Sequence, residues 1–185
     1  MAKLMYVSPM SLDGYLGDGE YDWSVPSEEF MTFITEVMRP VGTYLYGRKM
    51  YETMAVWDSP EFVSSVGPKD QEFAKVWQAA DKIIYSKSLN EVSTRKTHLE
   101  RNFDTNMIRE MKKRQSKDIS IGGANLAAQA IQASLVDEYH FFVVPMTLGK
   151  GISVLPKNLS IKLDLMEEHR FDDGWLYLRY QTHTV

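Results

Sequence analysis

Short apolar runs alternate with stretches of helical period along almost the whole chain, and this alternation restricts the fold more than any single motif. "KLMYVSPMSLDGYLG" opens with an apolar run that ends at Ser8-Pro9 and passes into a turn-rich loop. In "VPSEEFMTFITEVM", Ser27 is a good N-cap and Phe30, Phe33, Ile34 and Val37 form one apolar face. "TYLYGRKMYETM" reads as a strand over 43–46, a glycine turn and a helix. "PKDQEFAKVWQAA" is helical with Phe73, Val76 and Trp77 inward, and a strand over 82–86 follows. "DTNMIREMKKR" is helical, with Asp104 as its cap and basic residues in its last turns. "DISIGGANLAAQAI" passes from the strand period at 118–121 to the helical period through Gly122 and Gly123. The segment 58–68, with two prolines and a glycine, reads as a loop.

Strands alternating with helices predict an α/β fold of three layers. The sheet is mixed and mostly parallel, with helices on both faces. "IKLDLMEEHRF" and "GWLYLRYQTHTV", joined at Asp172-Asp173-Gly174, form its antiparallel C-terminal edge. A length of 185 residues fits one domain over 1–185. The absence of cysteine excludes disulfides, cysteine-ligated zinc and thiol catalysis. A net charge of −4 gives no general attraction to nucleic acid or to an anionic membrane. No N-terminal run is long and apolar enough for a signal peptide or a membrane span, so a cytoplasmic protein is expected. His98, His140, His169 and His183 show no metal-ligand spacing, and no metal is expected. Tyr44 and Tyr46 read as core or crevice wall, and Trp57 and Trp77 as packing anchors.

Three strand ends carry similar chemistry. One has Gly47, Arg48 and Lys49, the next Ser86, Lys87 and Ser88, and the third Gly122, Gly123, Ala124 and Asn125. The carboxyl ends of parallel strands line one crevice where ligands bind. Cations, hydroxyls and glycine N–H groups at three such ends suit a ligand with several phosphates, and a helix N-terminus adds free donors. A dinucleotide fits. The Rossmann fingerprint G-x-G-x-x-G is absent.

"SLDGYL", "YGRKMYE", "IIYSKSL", "IGGANLAAQAI", "LVDEYHFFVVPMTLGKG" and "RFDDGWLYLRY" occur in the order found in the dihydrofolate reductase superfamily. The chain most resembles the reductase domain of the riboflavin-pathway bifunctional deaminase-reductase and its small stand-alone relatives. The resemblance implies NADPH as cofactor, with hydride passing to a small heterocyclic, ribosylaminopyrimidine-type or pteridine-type substrate. It matches Gly122 to Asn125 to the pyrophosphate turn, and Gly47, Arg48 and Lys49 to the turn meeting the adenosine-side phosphates. Ser86 and Lys87 match the strand end that reads the 2′-phosphate. Ser11, Asp13 and Gly14 match a mobile loop over the nicotinamide, and Leu148, Gly149 and Gly151 the glycine-rich loop near the substrate. Asp13 and Glu28 are the candidate catalytic carboxylates. Glu28 follows Trp23 and Pro26, as the first-helix acid of true dihydrofolate reductases follows a tryptophan and a proline. The alternative role for Glu28 is a first-turn carboxylate held by the helix dipole.

The resemblance also implies a cis peptide between Gly122 and Gly123, and a homodimer through the C-terminal strands, which carry Leu163, Leu165, Leu176, Leu178 and Tyr180. One departure stands out. The bifunctional enzymes usually place a glutamate directly before the glycine pair, where this chain has Ile121. Two further readings remain open: a true dihydrofolate or pteridine reductase, and a nucleotide-binding protein that kept the fold without the hydride chemistry.

Overall fold

Local capping starts the helices. Ser27 Oγ accepts from the Phe30 N–H at 3.1 Å, and Asp104 Oδ1 from the Asn106 N–H at 2.8 Å. Pro60 and Pro68 sit in first turns, where a missing N–H costs no helical bond. The computed structural model describes residues 1–17 and 27–183; Trp23 and Pro26 lie outside them. Its strands and helices, in chain order, are β1 (Leu4–Ser11), β2 (Tyr15–Leu16), α1 (Glu28–Met38), β3 (Val41–Gly47), α2 (Arg48–Met54), α3 (Pro60–Ser65), α4 (Pro68–Ala79) and β4 (Asp81–Tyr85). There follow β5 (Thr97–Glu100), α5 (Thr105–Arg114), β6 (Asp118–Gly122), α6 (Ala124–Gln132), β7 (Glu138–Val144), β8 (Ile152–Ser153), β9 (Leu163–Arg170) and β10 (Leu176–Thr182).

Eight strands form one sheet in the order β5-β4-β3-β6-β1-β7-β10-β9. The first six run parallel, and β10 pairs antiparallel with both β7 and β9. The expected α/β architecture with an antiparallel C-terminal edge is present. One face packs Leu4, Tyr6, Ile119 and Ile121 against Ile108 of α5 and Leu126, Ala127 and Ile131 of α6. The other packs Met5, Tyr44 and Ile84 against Met31 and Met38 of α1 and Phe73 and Trp77 of α4. An aromatic cluster of Phe142, Phe171, Trp175 and Tyr177 lies under Phe30 and Phe33 of α1. Trp77 is fully buried, as a packing anchor should be.

The structure corrects the reading in two places and adds a strand, β5. β1 does not stop at Ser8-Pro9 but continues to Ser11 along β7. Its pairing with β6 ends at Tyr6–Ile121. Lys3 O accepts from the Ile119 N–H, so by strand alternation the backbone of Pro9 also faces the β6 side, where no strand follows. There a missing N–H breaks no ladder bond. The segment 58–68 holds the short helix α3, capped by Ser59 Oγ accepting from the Phe62 N–H at 3.2 Å. β5 has only four residues and no strong apolar alternation. Among the described residues, no helix is long and apolar enough to cross a membrane, and no group of three or more His, Asp or Glu could hold a metal ion.

Candidate cofactor crevice

β1 and β6 are neighbours, but the chain leaves them toward opposite faces, to α1 and to α6. This is the topological switch point of the sheet, where open α/β sheets bind ligands beyond their strand ends. Gly122 and Gly123 stand at its mouth. A Cβ on Gly122 would lie 2.9 Å from the Tyr46 ring and 3.2 Å from Met50 Cγ. Gly123, at φ +92 and ψ 122, turns the chain from strand to helix within one residue. It is the N-cap of α6, and no side chain caps that terminus. The early N–H groups of a helix have no partner within it, so those of Ala124 and Asn125 face outward as donors. The cis bond expected between Gly122 and Gly123 is not found. Among the described residues every peptide is trans, and the unusual geometry lies in the positive φ of Gly123.

The neighbouring strand ends bring cations together. Arg48 Nε donates to Glu52 Oε1 at 2.7 Å and its Nη1 to Ser88 Oγ at 3.2 Å. Lys49 and Lys87 are exposed, and open space stands where a Cβ on Gly47 would be. Ser86 is buried, and its Oγ accepts from the N–H groups of Ser88 and Leu89, which shapes the turn that presents Lys87. Arg101, absent from the sequence reading, braces this turn: its Nη1 donates to Ser86 O at 3.0 Å and Leu89 O at 2.6 Å. Its only signal was a basic residue directly after β5, a strand too short to be noticed. Tyr51 of α2 holds the far end of the same loop, its hydroxyl oxygen accepting from the N–H groups of Ser93 at 2.9 Å and Thr94 at 3.3 Å.

At the ends of β1 and β7, two loops meet. Asp13 Oδ1 accepts from Ser11 Oγ at 2.6 Å and the Leu148 N–H at 3.0 Å, and Oδ2 from the Gly149 N–H at 2.7 Å. These donors, the Ser11 hydroxyl foremost, hold the Asp13 carboxyl at about 2, below the usual range. An ionised group with both oxygens engaged has the chemistry of a clamp, not of a proton donor. Asp13 thereby links the segment Ser11–Gly14 to the loop after β7. Gly14 and Gly149 supply positive φ of 81 and 68 at the bends, and Gly151 reaches 129.

Glu28 is on another wall. It lies exposed in the first turn of α1, on a groove of about 730 Å³ between α1 and the β10–β9 flank. That groove includes neither the Gly122–Asn125 turn nor the Asp13 loops. Beneath it, His140 Nε2 meets Glu138 Oε2 at 3.2 Å and Nδ1 meets the Tyr177 hydroxyl at 2.7 Å. The hydrogen bond from His140 and the ammonium of Lys3, 2.6 Å away, hold the Glu138 carboxyl at about 2. An ionised carboxylate only accepts, so Nε2 carries the hydrogen of that bond, and the Tyr177 hydroxyl occupies Nδ1. His140 is therefore a satisfied core histidine.

The model of the RibD C-terminal domain family matches residues 2–177. The uncharacterized protein YyaP of Bacillus subtilis is 27% identical over 175 residues, which cover 92% of this chain and 90% of that protein. A putative riboflavin biosynthesis protein from Shewanella sp. PV-4 superposes with a TM-score of 0.74 at 19% identity, covering 100% of both chains. Acinetobacter baumannii RibD superposes at 0.67 with 18% identity, covering all of this chain but 59% of its own. The fold is thus the dihydrofolate reductase-like one, and the family match spans residues 2–177: this chain belongs to the RibD C-terminal domain family.

Proposed function

We propose that the protein is an NADPH-dependent reductase acting on a small heterocycle of the ribosylaminopyrimidine or pteridine type. Family membership supports a riboflavin-biosynthesis-type reductase. The observation that carries the reading further is the uncapped α6 terminus at Gly123, beside the cations at the ends of β3 and β4. Gly122 to Asn125 would hold the pyrophosphate by backbone N–H groups. Arg48, Lys49 and Lys87 would meet the remaining phosphates, with Ser86 and Arg101 fixing the turn that carries Lys87. When bound, NADPH supplies the hydride. The chain's part is to orient the cofactor and shield the crevice from water. Ile121, fully buried before the glycine pair, gives that position an apolar side chain and no carboxylate. This supports a substrate other than the one the bifunctional enzymes handle with their glutamate.

Two charge-assisted hydrogen bonds to a 2′-phosphate, at on the order of 1.5–3 kcal/mol each, correspond to roughly a hundredfold to ten-thousandfold preference for NADPH over NADH. Calorimetry with both cofactors tests this, and equal affinities overturn the assignment. NADPH oxidation with a panel of pteridines and ribosylaminopyrimidines then separates the proposed reductase from the two other readings. Turnover of dihydrofolate favours the pteridine reductase. Tight NADPH binding without turnover on any member favours the nucleotide-binding protein.

A further inference from the structure

We propose that Asp13 is a positioning residue whose carboxylate joins the loops after β1 and β7 into a single wall of the crevice, formed before any ligand arrives. Three donors from two distant segments converge on its two oxygens: the Ser11 hydroxyl at 2.6 Å, and the Leu148 and Gly149 N–H groups at 3.0 and 2.7 Å. Backbone contacts continue the seam on both sides. The Leu12 N–H donates to Met146 O at 2.8 Å, and the Val154 N–H to Gly14 O at 3.0 Å. β2 and β8 pair over two residues, Tyr15 with Ser153 and Leu16 with Ile152. The Tyr6 hydroxyl, deep in β1, donates to Val154 O at 3.0 Å and ties the seam to the sheet. A Cβ on Gly151 would lie 2.6 Å from Leu16 O, so the two backbones touch there directly.

The chemistry requires a carboxylate. Two of the donors are peptide N–H groups that cannot turn away, and an amide at position 13 offers one acceptor oxygen and sets an N–H group against one of them. The wall therefore needs no closing step. Residues 11–16 are then in place when a ligand arrives.

The test has an arm that needs no ligand. In hydrogen exchange of the cofactor-free protein, the Leu148 and Gly149 amides should be protected at least tenfold relative to unstructured peptide rates. Asp13→Asn should remove that protection while the Ile119 amide in β6 stays protected. Unprotected Leu148 and Gly149 in the wild type overturn the proposal, whether or not the variant folds. So does unchanged protection in a folded variant. The second arm rests on the reductase reading: stopped-flow binding of NADPH should give one exponential whose rate rises linearly with concentration, whereas Asp13→Asn should add a slower phase. A saturating slow phase in the wild type shows a closing loop and overturns the proposal. No NADPH binding at all removes the cofactor reading and leaves the exchange arm to decide.

Discussion

Among single residues, Gly123 makes the most exacting demand. Its φ of +92 with ψ 122 lies where side chains are strained, at a cost of about 1–3 kcal/mol. Nothing but Met50 Cβ, 3.6 Å away, crowds an added Cβ. Gly123→Ala should therefore act through backbone strain, lowering the melting temperature by several degrees and NADPH affinity by about tenfold or more. Thermal scanning and calorimetry check both. Gly122 is constrained differently. A Cβ there would strike the ring of Tyr46, whose hydroxyl accepts from Trp77 Nε1 at 3.3 Å, so the ring has little freedom to yield. Gly122→Ala should destabilise more than Gly123→Ala, which chemical denaturation will show. The two glycines were readable from sequence because strand and helix periods change across them. The Asp13 clamp was not: its partners are 135 and 136 residues away, and no local pattern records so distant a hydrogen bond.

Among elements, those with local start signals were readable and those without were not. α1 and α5 begin at the expected Ser27 and Asp104 because a cap acts within three residues. α3 has the same kind of signal in Ser59-Pro60, but two prolines and a glycine around it suggested a loop. β5 exists because β4 offers it a parallel partner, a tertiary cause. β7 carries a testable electrostatic element. The Glu138 carboxyl, nearly buried and held at about 2 against an ordinary 4.5, binds fewer protons folded than unfolded between those values. Its stabilisation is complete above about 4.5 and fades as pH falls toward 2, by on the order of 1–3 kcal/mol. Urea unfolding from pH 6 to pH 2 should show Glu138→Gln less stable than the wild type at pH 6, with the gap narrowing through that window. A constant gap contradicts the pairing.

Taken whole, the α/β class and antiparallel edge were readable from the alternation of periods, while the strand order came only with the structure. The C-terminal hairpin leaves an apolar surface. Leu165, Met166 and Leu176 are 52%, 47% and 41% exposed, with Leu155 and Leu159 near them in sequence. Leu163, Leu178 and Tyr180 are half-buried. Exposed apolar patches on an edge invite partners. We expect a homodimer through this flank, with more than about 1,000 Å² buried in total. Light scattering should give twice the chain mass at tens of micromolar, and Leu165→Glu should return the monomer.

The strand order has a consequence for how the molecule is made. β1 is made before every other strand of its sheet, yet both of its partners lie far downstream: β6 begins at Asp118 and β7 ends at Val144. β6 is also the strand that joins β1 to β3, so the β3–β4 pair has no link to the first strand until β6 has emerged. Until then Leu4, Met5 and Tyr6, all buried in the finished sheet, lack both of their strand partners. Long-range pairing is slow to close, and unpaired apolar strands are exposed to aggregation meanwhile. From β1 to β7 the nascent chain must therefore keep a central strand soluble, and the sheet closes around that strand only after residue 144 has been translated.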